Sequence, residues 1–458
     1  MTTGGAPSLI EKLERELRAF WTAPAEPGKT PLSRVCTMNL EIVASSRELL
    51  ERYTPVVDEV TSSIPARAIL ASIEPDVAGD DLTGTATAVC SFEGTKNICS
   101  ERITLRATGN ACARSASAIE AFLVPEIPTV LVWLGRVHVD DPVFEDLATD
   151  ANRIVLDSEY TSLASLLHVA AWARKQTNRP MVADLAWTRL ASWHEMLARF
   201  FDDLGTRPLA SKITKLSIKQ ASPAGSRLGP EPALLLGWIA TRLGWKTSRL
   251  GGSLRFKRPD GAHVTIELGA VPAPKGVAPQ SLASLTIEAQ DGQATLVGTI
   301  DRDLGSGLAQ EGNTADADVV SWKLVASGRP PLEQRVRLGT NKAAKWLERT
   351  LHRQPFDPAF DESVALAKLA DQPLDESGGD SRPKLELRRA ADDRTVYAVS
   401  IERLGFLLDG VRPLVRALGL GVGQHIQVAG RVGVDMRRRA RAGQIDVDEH
   451  GRRDHSQT

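Results

Sequence analysis

The chain has 458 residues, 42% hydrophobic and 25% charged, with a formal net charge of −1 at pH 7. This length predicts two or three domains, and the near-neutral charge gives no reason to expect nucleic acid or an anionic membrane as the main partner. No apolar run reaches the roughly 18 residues that a membrane helix needs. Met1–Pro7 lacks the segments of a secretion signal and the chain has four cysteines, so we expect a cytoplasmic protein.

The first part of the chain alternates between predicted helices and strands. Within residues 1–30, apolar spacing predicts an amphipathic helix over 8–21, followed by a Pro/Gly-rich linker. Residues 31–206 predict an N-terminal α/β domain with a mixed sheet, since one neighbouring strand pair has the pattern of a hairpin. The predicted strands cover 35–43, 67–73, 82–92, 98–107, 129–134 and 153–157. The predicted helices cover 45–62, with Ser45 as N-cap, 115–123, 144–148, 163–175 and 185–204.

The pattern of predicted helices and strands changes in the second part of the chain. Residues 207–370 predict a C-terminal α+β domain with a mostly antiparallel sheet, an apolar helix over 231–243 and a last helix over 342–352. Residues 371–458 form a polar tail that we expect to be partly disordered. Its arginine run, Met436–Arg441, is a candidate nucleic-acid contact, but such runs are more often solvated. The predicted strands cover 253–257, 263–268, 284–289, 294–300 and 319–325.

Common catalytic motifs are missing from the sequence. It has no GxGxxG after a strand, no phosphate-binding P-loop, no HExxH, no CxxC and no GxSxG. The Gly-rich segment Gly419–Gln424 lacks the spacing and the lysine of a phosphate loop. We therefore predict no metal site and no cofactor, and a protein that is not an enzyme.

Two cysteines flank the predicted hairpin turn. If the turn is centred between Gly94 and Thr95, Cys90 and Cys99 face each other across the strands. Cross-strand Cβ atoms lie about 4.5–5.5 Å apart, slightly more than a disulfide prefers. The pair is thus a candidate for reversible oxidation, but two small buried thiols are the commoner arrangement.

The segment 184–203 is unusually rich in aromatic and charged residues. Trp187, Arg189 and His194 lie outside or at the edge of its apolar stripe, and exposed tryptophan and arginine often anchor interfaces. They are candidate partner-binding residues, and the alternative is that Trp187 only covers the edge of the sheet. The stripe, predicted to be buried, consists of Leu190, Trp193, Leu197, Phe200 and Leu204.

Two arginines stand at the start of predicted strands. Arg34 and Arg67 are candidate anion-binding residues, because arginines at strand ends of an α/β sheet can bind phosphate in a bidentate manner. Capping of the surface is the more common role. If they bind phosphate, the protein is an enzyme or sensor that binds a sugar phosphate or nucleotide in its α/β domain.

Several segments in this order resemble the OpcA family of glucose-6-phosphate dehydrogenase assembly proteins. The likeness covers about residues 30–250 and continues more weakly near 346–370. The family often has His-Pro-Ser-Arg where this chain has Ile64–Arg67, and Trp-Trp where it has Trp133–Leu134. The segments are SRVCTMNL, IPARAIL, CSERITL, PEIPTVLVWLG, RIVLDS, DLAWTRLASWHEMLARFFD and ALLLGWIATRLGW.

The resemblance implies a non-catalytic protein that binds glucose-6-phosphate dehydrogenase, favours its active oligomer and acts as an allosteric activator. It would thereby support NADPH production in the oxidative pentose phosphate pathway. Thiol-based redox control is associated with photosynthetic relatives, which gives Cys90 and Cys99 a candidate role. Our hypothesis is that Trp133, Trp187 and Arg189 form part of the interface with the dehydrogenase.

Overall fold

The structure is a computed structural model of the chain. The chain divides into a unit of residues Met1–Gly378 and a unit of residues Gly379–Thr458. In the part of the chain that is described, no helix is long and apolar enough to cross a membrane. The structure describes residues 8–22, 33–93, 96–250, 253–273, 278–302, 319–338, 343–353 and 357–370, and the backbone of the strands at 385–389, 397–401, 426–429, 446–447 and 453–454.

An eight-stranded mixed sheet forms the first half of the larger unit. Its strands are β1 (Ser33–Arg34), β2 (Asn39–Ala44), β3 (Arg67–Glu74), β4 (Leu82–Glu93), β5 (Lys96–Thr108), β6 (Thr129–Leu134), β7 (Arg153–Leu156) and β8 (Met181–Asp184). The order is β1-β5-β3-β2-β6-β7-β8, and β4 also pairs with β5. Only the β4–β5 pair is antiparallel, so the predicted mixed α/β sheet is confirmed. The short strand β8 was not predicted.

Helices cover both faces of this sheet. They are α1 (Leu9–Thr22), α2 (Arg47–Ser63), α3 (Ser115–Glu120), α4 (Pro142–Asp150), α5 (Leu163–Ala173), α6 (Leu185–Arg189) and α7 (Ala191–Arg199). The N-cap of α2 is Ser46, whose hydroxyl accepts the Leu49 N–H, and not Ser45 as predicted. The single helix predicted over 185–204 is wrong, because the chain tightens at Leu190 (ψ −12°) between α6 and α7.

A second eight-stranded sheet follows. Its strands are β9 (Ile213–Ala221), β10 (Lys246–Leu250), β11 (Ser253–Lys257), β12 (His263–Val271), β13 (Leu282–Asp291), β14 (Ala294–Arg302), β15 (Val319–Ala326) and β16 (Leu332–Arg337). Every pair in it is antiparallel except β9–β12, which confirms the mostly antiparallel prediction. β9, β10 and β16 were missed.

Three helices complete the second half: α8 (Pro230–Arg242), α9 (Ala343–His352) and α10 (Pro358–Ala370). The prediction that the helix near 342–352 is the last one is wrong, since α10 follows it. Gly237 lets α10 approach α8 closely, because a Cβ there would collide with the backbone of Ser363. A glycine is likewise needed at 298, where a Cβ would lie 2.8 Å from the ring of Phe200.

The two sheets share one apolar core. A single cluster of buried residues includes Leu13 of α1, Trp193 of α7, Ile287 of β13 and Phe360 of α10. A second cluster lies beneath α2 and also takes in Leu347 of α9. The division at residues 206 and 207 stays a prediction, and this shared core crosses it.

The smaller unit is described only as short strands. β17 (Leu385–Arg389), β18 (Tyr397–Ile401) and β19 (Ile426–Ala429) form one sheet, and β20 (Asp446–Val447) pairs with β21 (Arg453–Asp454). Met436–Arg441 and Gly419–Gln424 lie outside the described residues.

Candidate functional site

The first sheet contains the strand order of a dinucleotide-binding fold. Its strands β2, β3, β5, β6, β7 and β8 are parallel, and numbered from one to six in chain order they stand as 3-2-1-4-5-6. In such sheets a ligand binds outside the carboxyl ends of the first and fourth strands, where the order reverses. Here that position lies beyond Ala44 of β2 and Leu134 of β6.

This crevice has no cradle for a pyrophosphate. Backbone packing closes it, because the Ser45 N–H donates to the Leu134 carbonyl oxygen (3.1 Å) and a Cβ at Gly135 would collide with the Ser45 side chain. The loop into α2 has no glycine, and Glu48 places a negative charge in the first helical turn. A pyrophosphate needs close glycine backbone and a helix N-terminus free of negative charge.

The richest polar cluster lies between the two sheets. We call its central residues Trp187, Thr188 and Arg189 of α6 the junction. The Arg189 guanidinium donates to Asp157 Oδ1 (Nη1, 3.1 Å), just after β7, and to Glu231 Oε1 (Nε, 2.7 Å), in the first turn of α8. One arginine therefore joins the first sheet to the second half of the chain.

The partners of Arg189 extend this connection. The second oxygen of Glu231 accepts the N–H of Leu282 on β13 (2.9 Å). The guanidinium also lies over the ring of Trp346 on α9, 5.1 Å from its centroid. Burial alone would lower the pKa of Arg189, but Asp157 and Glu231 outweigh it and raise that pKa above its usual range. Arg189 is thus a permanent internal cation.

The other junction residues hold the last two helices. Trp187 Nε1 donates to Asp357 Oδ2 (2.8 Å), and Asp357 Oδ1 accepts the N–H of Phe360 (3.2 Å) at the start of α10. Thr188 Oγ1 and Thr350 Oγ1 of α9 are 2.7 Å apart and share a hydrogen bond. The junction therefore connects the first sheet to α8, α9 and α10.

Two titratable groups beside the junction have shifted pKa values. Burial raises the pKa of Asp184 to about 6, against the opposing effect of a hydrogen bond from Ser158. Its Oδ1 caps α6 by accepting the Ala186 N–H (2.7 Å). Burial lowers the pKa of His194 to about 3. His194 is therefore a neutral ring near neutral pH, with no hydrogen-bond partner for its Nε2 among the described residues.

The expected exposure of the candidate interface residues is wrong. Trp133 is 4% exposed and Trp187 7% exposed, and the Arg189 side chain is 14% exposed. Each finds its polar partners inside the protein: Trp133 Nε1 donates to the Arg136 carbonyl oxygen (3.1 Å). His194 packs between rings, 4.1 Å from Trp238 and 4.8 Å from Trp187.

The apolar stripe of segment 184–203 is mostly as predicted. Leu190, Trp193, Leu197 and Phe200 are buried, and Phe200 stacks on a tryptophan of β15, Trp322, at 5.0 Å. The prediction for Leu204 is wrong, because it is 81% exposed beyond the end of α7. The segment therefore holds the two halves of the chain together.

The structure describes the side chain of one of the two candidate anion-binding arginines. Arg67 gives its donors to Glu101 (Nε to Oε2, 2.7 Å) and to the Phe122 carbonyl oxygen (Nη1, 2.9 Å). It also stands at the amino end of β3, opposite to the crevice. Its guanidinium is thus engaged inside the protein, at the end of the sheet away from the crevice, and anion binding by Arg67 stays a prediction. The side chain of Arg34 lies outside the described residues.

The two hairpin cysteines are bonded to each other. Cys90 is directly opposite Cys99 in the β4–β5 register, with Cα atoms 4.0 Å apart, and they form a disulfide. The commoner arrangement of two free thiols is therefore not the one adopted, while Cys36 and Cys112 are free. Among the described residues, no group of three or more His, Cys, Asp or Glu could hold a metal ion.

Sequence reasoning did not identify the acidic partners of the junction. Glu231 and Asp357 lie 42 and 170 residues from the side chains they bind, and spacing along the chain carries no signal over such separations. A weaker local signal was available. Asp157 directly follows an apolar strand, and Glu231 stands in the otherwise apolar segment PEPALLLGW.

The fold and the site define an α/β protein that has the strand order of dinucleotide-binding proteins, lacks their pyrophosphate loop and carries an internal polar junction. Family models described as glucose-6-phosphate dehydrogenase subunit N-terminal domain and C-terminal domain match residues 57–171 and 180–364. The chain belongs to the OpcA family of glucose-6-phosphate dehydrogenase assembly proteins.

Curated relatives carry the name "Putative OxPP cycle protein OpcA". The one from Synechocystis sp. is 26% identical over 362 residues, which are 74% of this chain and 71% of the relative. The one from Synechococcus elongatus is 28% identical over 229 residues, 46% of this chain and 49% of the relative. The match to the Nostoc punctiforme relative, 26% identical, spans 68% of this chain and 66% of that protein.

Similar solved structures are distant. Levoglucosan dehydrogenase in complex with NADH has a TM-score of 0.39 and 10% identity, covering 75% of this chain and 100% of that one. UDP-N-acetylglucosamine 3-dehydrogenase GnnA from Acidithiobacillus ferrooxidans has a TM-score of 0.36 and 10% identity, covering 74% of this chain and 97% of that one. Similarity at this level carries no argument about fold or activity.

Proposed function

We propose that the protein is a non-catalytic assembly factor and allosteric activator of glucose-6-phosphate dehydrogenase. The observation that carries the proposal is its membership of the OpcA family, with family models matching both halves of the chain. By binding the dehydrogenase in the cytoplasm, it supports NADPH production in the oxidative pentose phosphate pathway.

The closed crevice supports a non-catalytic role. A dehydrogenase built on this strand order needs a loop that admits a pyrophosphate. Here that space is packed by Ser45 and Gly135. The folded chain would then act as a rigid body whose surface binds the dehydrogenase.

Activation follows from differential binding. A partner that binds the active state of the dehydrogenase more tightly than the inactive state shifts the population by that difference and by no more. A coupling of about 1–3 kcal/mol changes apparent substrate affinity roughly 5–150-fold. The buried junction contributes indirectly, because it fixes the relative position of the elements whose outer surfaces meet the enzyme.

The disulfide adds a redox input to this proposal. In a reducing compartment a disulfide is usually transient or regulatory. Cys90–Cys99 staples the hairpin on which α1 rests, where Glu16 Oε2 accepts the Ala86 N–H (3.3 Å). Reduction by a dithiol would free both thiols and loosen this hairpin, so binding of the dehydrogenase would depend on redox state.

The test mixes this protein with the glucose-6-phosphate dehydrogenase of the same organism. Size exclusion with light scattering is expected to give a shared peak, and NADP reduction is expected to show a lowered apparent KM for glucose 6-phosphate. A repeat with and without dithiol isolates the redox input, and Cys90→Ser serves as its reduced mimic. Separate peaks with unchanged kinetics in both redox states would exclude the role.

The strand order favours one second candidate, an enzyme or sensor that binds a sugar phosphate or nucleotide in the first sheet. Thermal shift with NADP, NADPH, glucose 6-phosphate and 6-phosphogluconate separates the two, because a ligand of the native state raises its stability by mass action. Saturable stabilisation of the wild type by one of these ligands would establish this second candidate.

A further inference from the structure

Cationic side chains line one exposed face of α9. Lys345 and Arg349 lie four residues apart, which places them on one side of α9, and Arg353 follows four residues later, directly after the helix ends. His352 lies beside them, and with Glu348 the four border an open cleft of about 430 Å³. We call this set, without Glu348, the α9 cationic row.

The row has more positive charge than its surroundings neutralise. Lys345 Nζ pairs with Glu348 (2.8 Å), and Arg353 is 3.9 Å from Asp357, a carboxylate that Trp187 already engages. The side chains of Arg349 and His352 are exposed and make no hydrogen bond or ion pair with other described residues. Like charges four residues apart destabilise a helix, so the row has a cost that a bound anion would remove.

Capping of the helix end does not explain the row. Cations near a helix C-terminus are stabilising because they meet unpaired carbonyls. At this end of α9 the Thr350 carbonyl oxygen already accepts from Arg153 on the inner side (2.6 Å), as does the carbonyl oxygen of Arg353, one residue beyond the helix (3.1 Å). Lys345 and Arg353 pair with Glu348 and Asp357, so Arg349 and His352 are the side chains of the row that are left for another role.

The helix that carries the row is rigidly held. Thr350 bonds to Thr188 of the junction, Trp346 lies beneath Arg189, and Leu347 is fully buried. A site on a rigid element keeps its geometry and loses little entropy when a ligand binds. Lys345, Arg349 and His352 therefore project from a helix whose position is fixed before an anion binds.

We propose that the α9 cationic row is a binding site for the phosphate group of a phosphorylated small molecule. Guanidinium groups match the oxygens of a phosphate, and Arg349 and Arg353 present two of them at one cleft. Lys345 adds a third positive charge, which Glu348 partly offsets, and the ring of His352 adds a further hydrogen-bond donor. The site is independent of any contact with the dehydrogenase.

The test uses the full chain at low ionic strength, with isothermal titration of inorganic phosphate, pyrophosphate and glucose 6-phosphate. Arg349→Gln is the test variant, and Arg18→Gln is the matched control, because it removes the same charge from an exposed position on α1. We expect saturable binding that weakens with salt, falls about tenfold to a hundredfold in Arg349→Gln and is unchanged in Arg18→Gln.

Three results would overturn the proposal: no saturable binding of any probe, equal affinities in the two variants, or loss of dehydrogenase binding in Arg349→Gln without phosphate binding by the wild type. The last would make the row a contact for an acidic protein surface. Circular dichroism checks folding. If Arg349→Gln unfolds, His352→Gln replaces it, with binding expected to weaken about threefold to tenfold.

Discussion

Replacing Arg189 by methionine removes the cation that joins Asp157 to Glu231 and leaves both carboxylates inside the protein. The side chains of Asp157 and Glu231 are 1% and 8% exposed, so water cannot take over the lost interaction. Breaking one partner out of a buried charge cluster costs about 3–5 kcal/mol, because the remaining charge is left desolvated. We expect Arg189→Met to lose about that much of its free energy of unfolding.

The magnitude depends on burial, and an exposed pair provides the control. Arg199 and Glu195 form an ion pair with side chains 45% and 66% exposed. Arg199→Met removes the same type of pair from a neighbouring helix, and exposed pairs contribute only about 0–1 kcal/mol. Urea unfolding followed by circular dichroism measures both variants.

A second substitution separates lost charge from lost packing. Adding Glu231→Gln to Arg189→Met removes one uncompensated charge while keeping an oxygen for the Leu282 N–H. If electrostatics dominate, the double variant recovers about 1–2 kcal/mol relative to Arg189→Met. Should Arg189→Met cost no more than Arg199→Met, the junction would not hold the halves together and the reasoning would be refuted.

Three further substitutions test other parts of the structure. Burial raises the pKa of Glu41 from 4.5 to about 8. Between these two pH values the folded state keeps a proton that the unfolded chain loses. As the pH rises through this range, the free energy of unfolding therefore falls by about 1.4 kcal/mol per pH unit. Glu41→Gln should remove that slope, and unfolding at pH 5 and pH 8 checks it; an unchanged slope would contradict it. Cys90→Ser removes the disulfide that closes the loop between Cys90 and Cys99, which have a sequence separation of 9. We expect its free energy of unfolding to be about 2–3 kcal/mol lower than that of the oxidised wild type and equal to that of the dithiol-treated protein. Gly298→Ala drives a methyl group into the ring of Phe200 and should lower the urea midpoint by an amount corresponding to about 1–3 kcal/mol. Gly292→Ala is the control: Gly292 has open space around it but a φ of +59°, so this variant should show only the cost of backbone strain.

The family resemblance and the two sheet types followed from the sequence, and the comparisons and the fold confirm both. Alternation of strands and helices predicted an α/β sheet, because an apolar strand followed by an amphipathic helix has a strong local period. The hairpin pattern of one strand pair predicted that this sheet is mixed. The sequence analysis missed short strands such as β8 and weakly alternating segments such as β16, because neither has a clear period. The helix break at Leu190 was also missed, since the apolar stripe continues through it.

The candidate interface residues show where local reasoning stops. Trp187 and Arg189 looked exposed because they lie off the apolar stripe of their own helix. A second layer, made of α8, α9 and α10, covers that side and supplies Glu231, Trp346 and Asp357 as partners.

By itself, the sequence determined the type and approximate place of most helices and strands, because those depend on residue type and spacing over a few turns. It also predicted that Cys90 and Cys99 face each other if the turn is centred between Gly94 and Thr95, and the β4–β5 register confirms this pairing. Tertiary structure alone decided which polar side chains are buried and which are free. Burial is set by elements that lie up to 200 residues away, and the free energy of a charge depends on the neighbours that replace its water.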